Sequence, residues 1–157
     1  VLGLCFALAT GGHSSIPAAA GSGGEGEASA TLRIEGAEQF GDKVLNAGVP
    51  ALVDFYSDNC PPCRRLAPTI ARLAGRYEGR AVVGKANLDG GRNADLAKRY
   101  GIRQIPTVVF FQDGEEVERF VGLRGEEDYA SVLERLLKDG GPSVDAADGE
   151  GAATAVP

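Results

Sequence analysis

The feature that most constrains this chain is the run Ala51-Leu52-Val53-Asp54-Phe55-Tyr56, followed closely by Cys60-Pro61-Pro62-Cys63. The run is nearly continuous in apolar side chains, as expected of a strand covered on both faces of its sheet. Beyond the cysteines, Leu66, Ile70, Leu73 and Tyr77 recur at spacings of four, three and four. That spacing makes one apolar stripe and predicts a helix over residues 61–77. A buried strand therefore feeds directly into an amphipathic helix, with the cysteine pair at the junction. Two cysteines separated by two residues in such a unit read as a redox motif.

The same alternation runs along the rest of residues 31–137. A short strand is expected over 31–34 and a helix over 37–46, closed by Gly48. A strand over 81–87 and a helix over 93–100 follow. Residues 107–111 and 117–121 flank Asp113-Gly114, a hairpin turn signal. Residues 126–137 close the domain as an amphipathic helix. Strands alternating with helices imply parallel pairing through right-handed crossovers, and the late hairpin adds an antiparallel edge. The expected fold is α/β: a mixed central sheet of about five strands with about four helices on its two faces.

The flanks differ in composition. Val1 to Ala9 is apolar and ends in Ala7-Leu8-Ala9, a small-x-small pattern that reads as the remnant of a signal peptide. The expected location is thus periplasmic or secreted, with the cytoplasm as the alternative. Residues 10–30, rich in Gly, Ala and Ser, read as a flexible linker, and residues 138–157 as a disordered acidic tail. Gly21-Ser22-Gly23-Gly24-Glu25-Gly26 matches G-x-G-x-x-G, but no strand precedes it, so it does not read as a dinucleotide loop. A net charge of −6 argues against nucleic-acid binding, which needs a basic face, and no stretch is apolar for the ~18 residues that span a bilayer.

The placement of Cys60 carries the chemistry. The first turn of a helix exposes unpaired N–H groups and a partial positive charge, which favour a thiolate. Cys60 is accordingly the expected nucleophile, with a pKa below that of a free thiol, and Cys63, one turn inward, the resolving thiol. Pro61 and Pro62 suit the first helical turn, where N–H groups lack partners anyway. They also remove donors that could otherwise reach the Cys60 sulfur. Rival readings of the pair are weaker. Zinc needs about four ligands, and the chain has three cysteines and one histidine, with Cys5 and His13 far from the pair. An inert disulfide closing so short a loop adds little chain-entropy stabilisation. A Cys–His nucleophile lacks a histidine in the core. Asp54, a carboxylate within an apolar strand, is expected to have a pKa raised by desolvation.

Three segments occur together in order: Val53-Asp54-Phe55-Tyr56, Cys60-Pro61-Pro62-Cys63 and Gly101-Ile102-Arg103-Gln104-Ile105-Pro106-Thr107. In that order and spacing they resemble the thioredoxin family, over about residues 31–137. The resemblance implies that Asp54 is the acid beneath the site, accepting the proton of Cys63 as that thiol attacks. It implies that Lys85 faces this acid and tunes its pKa. It implies a cis peptide bond at Pro106, which would leave the Ile105 backbone free to pair with a substrate strand. Pro68 matches a helix-kinking proline, and Gly122 a glycine of the substrate groove. Asn59 stands where the family usually has Trp, which makes the groove smaller and more polar. With Pro61, Pro62, Ile105, Pro106 and Gly122, Asn59 is an expected substrate contact.

The expected function is protein-disulfide reduction by a monomer, with no cofactor, no metal and no nucleic acid. The partners are disulfide-containing proteins and a reductase or membrane electron donor. Three alternatives remain at this stage: an extracytoplasmic oxidase or isomerase, a reductase of cytochrome c maturation, and a redox-silent binding or chaperone module. The compact stretch from Cys63 to Pro106 favours the general reductase over the cytochrome branch.

Overall fold

The apolar run forms the central strand of the sheet. In the computed structural model, which describes residues 30–140, strand β2 (Ala51–Tyr56) lies between β3 (Val82–Asn87) and β4 (Thr107–Gln112). Strands β1 (Leu32–Ile34) and β5 (Glu115–Val121) form the edges, giving the order β1-β3-β2-β4-β5. The pairs β1/β3 and β2/β3 are parallel, whereas β2/β4 and β4/β5 are antiparallel. The antiparallel part therefore begins with β4 itself, one strand earlier than the hairpin signal alone implies. The expected leader (1–9), most of the linker (10–30) and almost all of the acidic tail (138–157) lie outside the described residues.

Period-two alternation sorts the buried side chains onto two faces. On one face, Leu52, Val83, Val108 and Phe110 pack against Leu66, Ile70 and Leu73 of α2 (Pro61–Arg76) and Tyr129 and Leu133 of α4 (Glu126–Asp139). The predicted stripe of α2 is thus the buried one, and each such aliphatic side chain contributes about 1.5–3 kcal/mol by leaving water. On the other face, Val53, Phe55, Val109 and Phe111 meet Phe40, Val44 and Leu96. Leu96 belongs to α3 (Ala94–Arg99), and Phe40 ends α1 (Ala37–Phe40).

One helix departs from its predicted form. Instead of running regularly over 37–46, α1 stops after one turn and continues as a wider π-type segment, Gly41–Leu45. The Asn46 N–H there reaches the Gly41 carbonyl at 2.9 Å, five residues back. Gly41 at the junction weakens the preference for a regular α-turn. Phe40 and Val44 both remain buried. Elsewhere the predicted bounds shift by only a residue or two.

Candidate functional site

Cys60 occupies the N-cap of α2 with extended backbone (φ −99°, ψ 107°), and Pro61 and Pro62 fill the first two helical positions. Proline carries no N–H, so the first backbone donor that α2 can offer is Cys63. That donor points at the cysteine sulfur: the Cys63 N–H donates to Cys60 Sγ at 3.3 Å. The two cysteines are joined as a disulfide. Cys60 is 9% exposed and Cys63 3%, so the first is the more accessible.

The expected contact residues surround Cys60 unequally. The Ile105 carbonyl lies 3.9 Å from Cys60 Sγ, and the Ile105–Pro106 bond is cis. Gly122 donates its N–H to the Pro106 carbonyl at 2.8 Å. Gly122 has φ 81°, a conformation that disfavours side chains, and open space lies beside its Cα. Asn59 and Pro61 are exposed and Pro62 is half-buried. Pro68 lies inside α2, where its missing N–H leaves the Arg64 carbonyl without a helical partner.

Asp54 lies two residues beyond Leu52 on the same strand, and so on the face that α2 and α4 cover. It is fully buried, and neither carboxylate oxygen has a hydrogen-bond partner. Desolvation raises its carboxyl from the ordinary 3.8 to about 7, against the lowering field of Lys85. Lys85 is its register partner on β3. Its ammonium, however, sits over the ring of Tyr56, 4.1 Å from the centroid. Among the described residues no ion pair joins Lys85 to Asp54.

Sequence reasoning missed what holds the loop leading into Cys60. The Asp89 carboxylate accepts from Ser57 Oγ at 2.8 and 2.9 Å and from the Asp58 N–H at 2.8 Å. Asn87 Nδ2 donates to Asp58 at 2.8 Å, and the Cys60 N–H donates to the Ser57 carbonyl at 3.2 Å. The available signal was Asp89-Gly90-Gly91, a turn sequence at the end of β3, where an acid can accept from a neighbouring loop.

A mixed five-stranded sheet with helices on both faces and a cysteine pair capping the helix after its central strand is the arrangement of a thioredoxin fold. The chain belongs to the thioredoxin family, whose model, described as "Thioredoxin", matches residues 31–135. Thioredoxin of Synechocystis sp. is 40% identical over 109 residues, 69% of this chain and 99% of that protein. Thioredoxin 1 of Nostoc sp. is 41% identical over 98 residues, 62% of this chain and 90% of that one. Among solved structures, a mutant thioredoxin from Halobacterium salinarum superposes with a TM-score of 0.61 at 36% identity. That match covers 68% of this chain and 90% of the other.

Proposed function

We propose that this chain reduces protein disulfides through the Cys60-Pro61-Pro62-Cys63 site. The single observation that carries the reading is the Cys63 N–H aimed at Cys60 Sγ from the first turn of α2. That donor and the helix terminus favour negative charge on the Cys60 sulfur. The family membership supports the reaction class, thiol–disulfide exchange.

In the forward direction the reduced Cys60 thiolate attacks a substrate disulfide. A mixed disulfide forms, and one substrate sulfur leaves as a thiolate. Cys63 then gives its proton to Asp54 and attacks Cys60 Sγ. The Cys60–Cys63 disulfide forms, and the second substrate sulfur leaves. The substrate gains two electrons and the pair loses two, so a reductase or membrane donor must return them. The Ile105 carbonyl and the chain neighbours Asn59 and Pro61 border Cys60, and together with Pro62 and the Pro106–Gly122 corner they would meet the substrate chain. The apolar residues 1–9 support a periplasmic or secreted setting.

Cys60→Ser is expected to abolish insulin reduction, and Cys63→Ser to accumulate mixed disulfides. Full turnover by either variant would refute the mechanism. Equilibration with glutathione tests direction: a potential near about −270 mV fits a reductase, and one near about −120 mV an oxidase.

A further inference from the structure

Lys85 is placed oddly for a cation beside a buried acid. It is the in-register neighbour of Asp54 on the adjoining strand, and parallel partners project to the same sheet face. Both Asp54 oxygens are buried and unpartnered. A flexible ammonium one strand away would ordinarily close on such a carboxylate, because an unpaired buried acid is costly. Instead its Nζ rests 4.1 Å from the centre of the Tyr56 ring. Tyr56 follows Asp54 by two residues on β2, so its side chain shares that face at the end of the strand. A cation over a ring face is attracted by the negative face of the ring, which favours this rotamer of the lysine over others.

We propose that Tyr56 is a positioning residue for the proton-accepting carboxylate: its ring face holds the Lys85 ammonium off Asp54, which keeps the buried acid unpaired and able to take up a proton. The proposal rests on Asp54 as the proton acceptor of the reductase reading. In that arrangement Lys85 acts on Asp54 through its field alone. Direct pairing would instead lock the acid as a carboxylate and weaken it as a base. The other titratable groups around this corner are Tyr129 of α4, on which Asp54 acts, and Cys63 of α2 once reduced. Asp58 and Arg33 act on Tyr56 from the surface.

The test is a carboxyl-carbon NMR titration of the oxidised protein, in which neither cysteine titrates. The Asp54 resonance is assigned by its loss in Asp54→Asn. Tyr56→Leu is expected to lower the Asp54 midpoint by about one unit, a tenfold stronger acid. Tyr56→Phe, which keeps the ring, is expected to hold it. A leucine also admits water, which would lower the midpoint without any lysine. The double variant Tyr56→Leu/Lys85→Gln separates the two causes. If Lys85 is responsible, its midpoint equals that of Lys85→Gln alone. A midpoint unmoved by Tyr56→Leu would overturn the proposal, as would a drop that persists in the double variant. The acceptor reading fails separately: if Asp54→Asn reduces insulin with the wild-type pH profile, Asp54 takes no proton, whatever the titrations show for Lys85.

Discussion

Of the three polar side chains that lie almost without exposure among the described residues, Asn93 and Asp54 are treated in opposite ways. Asn93, 2% exposed, satisfies its amide fully enough to tie three segments together. Its Oδ1 accepts from the Gly36 N–H at 2.9 Å, and its Nδ2 donates to the Ile34 and Asn87 carbonyls at 3.0 and 2.8 Å. Asp54, fully buried on the opposite side of the sheet, has no hydrogen bond at either oxygen. A buried polar group that serves only the fold is expected to be paired, since leaving it bare costs about 1–3 kcal/mol. The bare one lies beneath the helix that carries Cys60 and Cys63. The difference sets Asn93, which ties the fold together, against Asp54, whose bare burial costs stability and fits the proton-accepting role proposed for it.

The largest expected effect tests that cost directly. The Asp54 carboxyl is raised from 3.8 to about 7 in the folded chain. Between those values the folded state holds a proton that the unfolded state has lost. Stability therefore falls as pH rises through this window and is flat above it. A shift of about three units corresponds to about 4 kcal/mol. Asp54→Asn is accordingly expected to stabilise the oxidised protein at pH 8 by up to that amount, and to do little at pH 3. Urea unfolding at the two pH values measures it, and a gain of equal size at both would deny that ionisation is the cause. The same variant is expected to slow insulin reduction.

Asn93→Ala should act with the opposite sign and without the pH dependence. It strands the Gly36 N–H and the Ile34 and Asn87 carbonyls, two of them in partly buried surroundings. A loss of about 3 kcal/mol is expected, by urea unfolding at pH 8. The rate of insulin reduction per folded molecule should be kept. A stable Asn93→Ala protein would remove the contrast, because neither buried polar group would then hold the fold together.

Only one side of this contrast is legible in the sequence. Asp54 stands out because a carboxylate interrupts an apolar strand, and burial on both faces follows from the pattern itself. The cysteine pair is legible for the same reason: strand, turn and helix signals are local. Asn93 is not. It reads as the start of a helix, and it does stand at the N-terminus of α3, yet its side chain makes no cap bond. It reaches back to the ends of β1 and β3, and no local pattern announces a long-range bond of that kind. The Ser57–Asp89 contact is hidden likewise, with its partners 32 positions apart in the sequence. The antiparallel entry of β4 escapes because α3 precedes that strand, and a preceding helix ordinarily implies a parallel crossover. Lys85 is legible as the neighbour of an acid, but its choice of the Tyr56 ring is a side-chain decision that only packing reveals.

The third buried polar side chain, Thr107, offers the mildest test of the rule. It is 2% exposed, and its hydroxyl donates to the Gln104 carbonyl at 2.7 Å. Gln104 itself is exposed, so water can take over the carbonyl when the hydroxyl is gone. Valine is nearly isosteric with threonine and suits a strand. Thr107→Val is therefore expected to cost only about 1 kcal/mol in urea unfolding, clearly less than Asn93→Ala. The ranking follows from what is left behind: wetted partners for Thr107, enclosed ones for Asn93. If Thr107→Val destabilised as much as Asn93→Ala, the cost would come from the bond that is lost rather than from the stranded partner. The contrast between Asn93 and Asp54 would then rest on bonds made and missed, and not on what burial leaves stranded.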